Sequence, residues 1–307
     1  MKRMTASALL AATALLPPLA AAAAAGSSGA AVPAAAGSSG AAVPAAANAG
    51  VAGTAIPARL PAGTSARSAD GMTRVATANW SGYAQVGKKT KQFTAAMAEW
   101  YVPRVYTKKS GDQYAADWVG IDGAFNNDKL VQAGTTSENI GGEAKYYAWT
   151  EILPASAVRT SLAIHPGDLM TAEVREVATD KWKMTVVDGT TGKTFARAVS
   201  YTTPEQDVEA VHERPMISGS LSALAKTDNV EFLGVWASTF APGRPPGWEY
   251  ISGHFPGATR DRVFMVNHGG GAIIAAPSAI TDNCFVVADG GKSPPPPTCE
   301  YAARPSP

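Results

Sequence analysis

The chain reads as an all-β protein, an antiparallel sandwich or barrel preceded by a leader with no core of its own. Three observations predict this. From Asn79 onward, apolar residues recur with period 2 between turn sequences, and helical periodicity is scarce. Gly-, Asp- and Pro-rich turns separate runs of strand length, with no helices between them. Residues 1–60 contain 25 alanines and almost no charge beyond Lys2, Arg3 and Arg59, so that stretch has nothing large to bury.

Taken in order, Met1-Lys2-Arg3 is a positive n-region and Thr5–Leu19 an apolar h-region broken by Pro17-Pro18. Ala20–Ala25 offers A-x-A cleavage sites, so 1–25 has the layout of a secretory signal peptide. The prolines and the short apolar run argue against a membrane anchor. The expectation is a secreted, extracellular protein without stable membrane association. An 11-residue motif, Ala-Gly-Ser-Ser-Gly-Ala-Ala-Val-Pro-Ala-Ala, occurs at 25–35 and again at 36–46. Two copies of a small-residue motif make no solenoid, and chain entropy favours disorder, so 26–78 reads as a linker or pro-segment. The folded domain is expected over 79–289, with a proline-rich tail over 290–307.

Within the domain, Lys181–Val186 alternates with Trp182, Met184 and Val186 on one face. Asp188-Gly189-Thr190-Thr191-Gly192 then turns the chain and Thr194–Tyr201 returns, which predicts a hairpin. Leu169–Val177 follows the turn His165-Pro166-Gly167-Asp168. Further strands are expected at Ala96–Val102, Tyr146–Leu153, Val208–His212, Val230–Trp236, Arg262–Val266 and Phe285–Ala288, with one short helix near Leu221–Ala225. Cys284 and Cys299 are an even pair in a chain read as secreted, so a disulfide is expected to tie down the last strand.

Charge and motif content narrow the function. Of 26 basic and 25 acidic residues, five basic and one acidic precede residue 79, so the domain carries 21 against 24, a net charge of −3. That balance argues against a nucleic-acid surface. Neither G-x-S-x-G nor H-E-x-x-H occurs, and the four histidines (165, 212, 254, 268) lack metal-ligand spacing. No metal or cofactor is expected.

What remains is an ordered series of Trp-, Tyr-, Glu- and Gln-rich segments. They are Asn79-Trp80-Ser81-Gly82-Tyr83, Glu99-Trp100-Tyr101-Val102-Pro103, Trp118-Val119-Gly120-Ile121-Asp122-Gly123 and Val131-Gln132-Ala133-Gly134-Thr135. After these come Tyr147-Ala148-Trp149-Thr150-Glu151 and Val208-Glu209-Ala210-Val211-His212-Glu213-Arg214-Pro215. Together, over 79–240, the series resembles the glutamic peptidases (eqolisins). The resemblance implies a concanavalin-like sandwich of two antiparallel sheets and a secreted acid endopeptidase acting on polypeptides as a monomer. It places the catalytic Gln at Gln132 and the catalytic Glu at Glu209, with Glu213 the competing candidate because strand alternation puts both glutamates on one face. It also implies that Trp80, Trp118, Tyr147, Trp149 and Glu151 line the cleft, and that Asp122 orients Gln132 or a substrate amide. Trp100 and Trp182 read instead as core. Residues 241–262 look like an inserted loop.

The chemistry suits these residue types. Peptide hydrolysis needs a base for water, a donor for the developing oxyanion and a proton for the leaving nitrogen. A carboxyl group can take the water proton and later deliver it, and an amide can donate to the oxyanion at any pH because it does not titrate. An ordinary carboxyl titrates near pH 4, which places the expected activity at about pH 3–4. Two other readings stand beside this one: a glycoside hydrolase using Glu151 and Glu209, and a lectin-like module binding glycan or peptide on its aromatic residues.

Overall fold

The computed structural model describes residues 71–109, 111–124, 128–267 and 271–299. All of them belong to the second of two units into which the chain divides, Ala47–Pro307. The signal peptide, the repeat, most of the leader, His268 and the end of the tail lie outside the described residues.

Eighteen strands and no helix occur among the described residues. In chain order they begin β1 (Thr73–Thr77), β2 (Trp80–Gly87), β3 (Ala95–Tyr101), β4 (Gln113–Ile121), β5 (Val131–Ile140) and β6 (Glu143–Ile152). Next come β7 (Val158–Arg159), β8 (Leu169–Ala178), β9 (Lys181–Asp188), β10 (Lys193–Ser200), β11 (Asp207–Glu213) and β12 (Met216–Ile217). The last six are β13 (Ser220–Leu221), β14 (Val230–Ser238), β15 (Glu249–Tyr250), β16 (Ala258–Val266), β17 (Ile273–Pro277) and β18 (Phe285–Asp289).

Hydrogen bonding runs in the order β10-β9-β8-β3-β14-β18-β17-β16-β2-β11-β4-β5-β6-β7, with β1 added to β16 and β15 to β14. Every pair in this path is antiparallel, whereas β1 joins β16 in parallel. The path doubles back, so that β4 and β5 lie over β8 and β9, and two layers enclose one core. Val119, Ile121, Val131, Ala133, Val208 and Ala210 enter the core from one layer; Trp100, Met170, Val174, Trp182, Met184 and Phe232 enter it from the other. A chain of aromatic contacts links the layers. Tyr83 of β2 meets Phe285 of β18 edge-on at 4.8 Å. Phe285 stacks on Phe232 of β14 at 4.6 Å, and Phe232 lies 5.8 Å from Trp100 of β3. The Trp100 indole N–H donates to Thr135 Oγ1 of β5 at 2.9 Å, closing the link between layers. Burial of such side chains is the main favourable term in holding the sheets together.

The strands expected from alternation are present, including the 181–200 hairpin, and Trp100 and Trp182 are core residues. Three features differ from expectation. A strand precedes Asn79: β1, Thr73–Thr77, pairs with β16. Residues 258–262, assigned above to a loop, belong to β16 and pair with β2. The helix near Leu221–Ala225 does not form: Leu221 ends β13, Leu224 bridges Tyr114, and the Ala225 N–H donates to Tyr114 O at 3.0 Å. Backbone groups engaged by β4 are not available for an i→i−4 ladder. Cys284 and Cys299 are joined by a disulfide with Cα atoms 5.9 Å apart, fastening the segment after β18.

Candidate active site

β11 sends Val208 and Ala210 into the core and Glu209, Val211 and Glu213 to the opposite face. The registers of its neighbours then build three rows across that face. One runs Asp261 (β16), Ala84 (β2), Glu209 (β11), Gly120 (β4), Gln132 (β5) and Glu151 (β6). The next runs Gly82, Val211, Trp118, Gly134 and Trp149, and the third Trp80, Glu213, Ala116, Thr136 and Tyr147. Residues far apart in sequence therefore come together because strand order and register bring them together, with the side-chain period of 2 holding each on the same face.

Glu209 and Gln132 are separated by Gly120 alone. Strands lie about 4.8 Å apart, so the two Cα atoms are about 10 Å apart. A Cβ on Gly120 would stand 2.9 Å from Glu209 Oε1 and equally close to Leu130 Cδ1 and Trp118 Cζ3. The glycine is what lets these three side chains close over β4 at this point. Gln132 Nε2 donates to Glu151 Oε2 at 2.5 Å, which orients the amide along the row. Both Gln132 and Glu151 are fully buried.

Glu209 is also fully buried. No N–H or hydroxyl among the described residues donates to either of its carboxyl oxygens. Burial pushes the carboxyl well above the usual range, and the charges of Asp207 and Asp122 push the same way. Glu213, the competing candidate, is held differently. The Trp118 indole donates to its Oε2 at 2.8 Å and Asn79 Nδ2 to its Oε1 at 3.3 Å. Burial raises it to about 8, against the partial offset of the Trp118 donor. Glu213 is committed to its donors, whereas the Glu209 carboxyl lies over Gly120, next in the row to Gln132.

Trp80, Trp118, Tyr147 and Trp149 share this face and pack into a second apolar cluster with Leu130 and Val211. Trp80 and Trp118 meet edge-on, 4.8 Å apart. The resemblance implies that they line a cleft. The structure buries all four, because each ring packs on its neighbours in adjoining rows and Arg159 covers Tyr147 at 3.7 Å. The Tyr147 hydroxyl is bonded to Glu138.

Asp122 does not serve Gln132. At the end of β4 it turns to φ 66°, and its carboxylate accepts from Thr203 Oγ1 at 2.5 Å, Glu205 N at 2.6 Å and Gln206 N at 2.7 Å. These bonds use its acceptor capacity on the loop that leads into β11. Burial nevertheless raises its pKa, with the hydrogen bonds acting in the opposite sense. The Asp122 N–H donates in turn to Asp207 O at 2.9 Å, and Ala124 N donates to Asp207 Oδ1 at 2.8 Å, so the end of β4 sets where β11 begins. Sequence reasoning missed Asp207 and Gly120. Asp207 shares the parity of Glu209, but an expected strand starting at Val208 stopped one residue short of it.

Comparison with known proteins identifies the family and the fold. The Peptidase A4 family matches residues 78–245. Aspergillopepsin-2 of Aspergillus niger is 27% identical over an alignment of 186 residues that covers 53% of this chain. The match spans 65% of that relative's length, just under two-thirds. Scytalido-glutamic peptidase, solved with a transition-state analogue inhibitor, superposes with a TM-score of 0.55 at 18% identity, covering 69% of this chain and 98% of that one. SCP-B, an eqolisin solved with the tripeptide Ala-Ile-His, gives a TM-score of 0.52 at 19% identity over the same shares of the two chains. At these identities the solved structures speak to the fold, a two-sheet sandwich in each case. The family match takes in more than half of the 307 residues, and the chain belongs to the Peptidase A4 family, the eqolisins.

Proposed function

We propose that the protein is a secreted glutamic endopeptidase that hydrolyses polypeptides in acid through Glu209 and Gln132. The observation that carries this reading is the row Glu209–Gly120–Gln132: a carboxyl and an amide on one face, with only a glycine between them in the row. In this reading a scissile carbonyl and a water lie between the two groups over Gly120, where the Leu130 and Trp118 side chains close in. Glu209 as carboxylate takes a proton from the water as its oxygen adds to the carbonyl carbon. Gln132 donates an N–H to the resulting oxyanion, and its contact with Glu151 keeps the amide oriented for this. Glu209, now a carboxylic acid, gives its proton to the amine nitrogen as the C–N bond breaks, and the carboxylate is restored. Because Glu209 holds its proton more tightly than an ordinary glutamate, the profile is displaced upward from pH 3–4. The signal-like N-terminus and the Cys284–Cys299 disulfide support an extracellular destination. The glycoside-hydrolase reading finds less support, since Gly120 and Gln132 stand between Glu209 and Glu151, and Glu151 is bonded to Gln132.

The test is casein digestion across pH 2–7. Glu209→Gln is expected to lower kcat/KM by about a thousandfold or more and Gln132→Ala by about a hundredfold or more, on the scale of an oxyanion donor's loss. Glu213→Gln is expected to stay within about tenfold of wild type, since a glutamate that titrates near 8 is already neutral in acid. Full activity in Glu209→Gln, or its loss only in Glu213→Gln, reassigns the site.

A further inference from the structure

Glu209 has an unusual environment for a buried carboxyl. Its oxygens meet no N–H or hydroxyl among the described residues. What it meets is a second carboxyl, that of Asp207, two residues earlier on the same face of β11 and likewise buried. Asp207 opposes Val86 and Glu209 opposes Ala84 on β2, and neither of those apolar neighbours can donate. Two ionised carboxylates facing each other without a donor repel, and the contact is favourable only when one of them keeps its proton. The other charged groups around the pair are also acidic: Asp122 at the end of β4, Asp261 on β16, and, farther along the rows, Glu151 on β6 and Glu213 on β11. Asp207 is the acid nearest to Glu209 on its own strand face, and Ala124 N donates to its Oδ1, which fixes that carboxyl.

We propose that Asp207 is a positioning residue for the reaction: it shares one proton with Glu209 and thereby sets the pH at which Glu209 changes protonation state. The inference rests on Glu209 being the catalytic carboxyl. Burial and the charge of Asp122 act on Asp207 as well, so the two carboxyls titrate as a pair rather than as independent sites. Removing the charge of Asp207 lets Glu209 lose its proton more readily. The limb of the pH profile that reports Glu209 then moves to lower pH, whether that limb rises because Glu209 must be a base or falls because it must be an acid.

The experiment is kcat/KM against pH for wild type, Asp207→Asn and Asp207→Glu. Asparagine keeps an oxygen for the Ala124 N–H and loses only the charge. One limb is expected to move down by about one pH unit or more in Asp207→Asn, with the other unmoved. Asp207→Glu is expected to keep the limb near its wild-type position even where kcat falls. A uniform loss of activity with both limbs in place would show a merely structural residue and overturn the proposal. If Asp207→Asn does not fold, carboxyl titration by infrared difference spectroscopy decides. Wild type should show two separated steps, and in Glu209→Gln the remaining Asp207 step should move to lower pH; an Asp207 step at the same pH with and without the Glu209 carboxyl overturns the proposal. An inactive wild type, or a fully active Glu209→Gln, would instead remove the peptidase reading on which this one stands.

Discussion

At the residue scale, the site depends on one position with no side chain. Gly120 lies between Glu209 and Gln132 in the row, and an added Cβ would meet Glu209, Leu130 and Trp118 at 2.9 Å each. The Trp118 ring is held by its bond to Glu213 and its edge contact with Trp80, so it cannot give way cheaply. The group that yields is Glu209. Gly120→Ala is therefore expected to fold and to lose about tenfold or more in kcat/KM, because a sub-ångström displacement of a reacting group is costly. Steady-state kinetics alongside a thermal melt separates the two effects, and unchanged kcat/KM would mean that the placement of Glu209 over Gly120 is not used. Gln132 and Glu209 could be nominated from the sequence because each sits in a local motif. The role of Gly120 was not, since a glycine inside a strand signals close approach without saying what approaches.

At the element scale, β11 is placed by the turn that ends β4. Asp122 at φ 66° accepts three hydrogen bonds from residues 203–206, and Asp207 ties back to Ala124. Asp122→Ala would leave two backbone N–H groups and a buried hydroxyl without their acceptor and place a Cβ-bearing residue with no polar side chain at positive φ. The expected loss is about 3 kcal/mol or more in folding stability. It should appear as a lower urea midpoint with the slope unchanged, and Asp122→Asn should lose less because asparagine tolerates that conformation and keeps an acceptor. A midpoint equal to wild type would show that the loop is held by other contacts. The strands with clean alternation, such as β8 and β9, were readable in advance. β4 and β5 were not marked as strands, although they carry half of the site. The outward face of each is broken by glycine and by polar residues such as Gln132 and Thr136, which blunts the hydrophobic period.

At the scale of the whole molecule, buried acids set a preference for low pH. Burial raises Glu213 to about 8 and Glu205 to about 7, the latter against the pull of Lys91, and lifts Asp207 and Glu209 in the same direction. His212 lies in the core, 2.7 Å from Asp117 and 3.8 Å from Asp289. Burial alone would lower its pKa, but the Asp117 and Asp289 charges outweigh it and raise it. Each of these groups keeps a proton in the folded state that it gives up more easily when unfolded. The stability they contribute is complete below about pH 4 for the carboxyls and below about 6.5 for His212, and it is lost as pH rises through their folded values. The melting temperature is expected to be highest in acid and to fall steadily between about pH 5 and 8. A maximum at pH 7–8 in a melt series at constant ionic strength would contradict that sign. No helix among the described residues is long and apolar enough to cross a membrane.

By itself the sequence determined the class of fold, the strands whose apolar faces alternate, and the two residues to which the proposed chemistry is assigned. Period-2 patterning and short motifs are local properties, and a chain displays them before it folds. Only the tertiary structure decided that Gly120 separates Glu209 from Gln132, that Glu151 orients the amide, that Asp122 serves the 203–206 loop, and that Asp207 faces Glu209. These relations join residues between two and about ninety positions apart through strand register, and register is set by how distant segments pair. The strength with which each carboxyl holds its proton depends in turn on water excluded by neighbours from several strands. No stretch of sequence read alone contains that quantity.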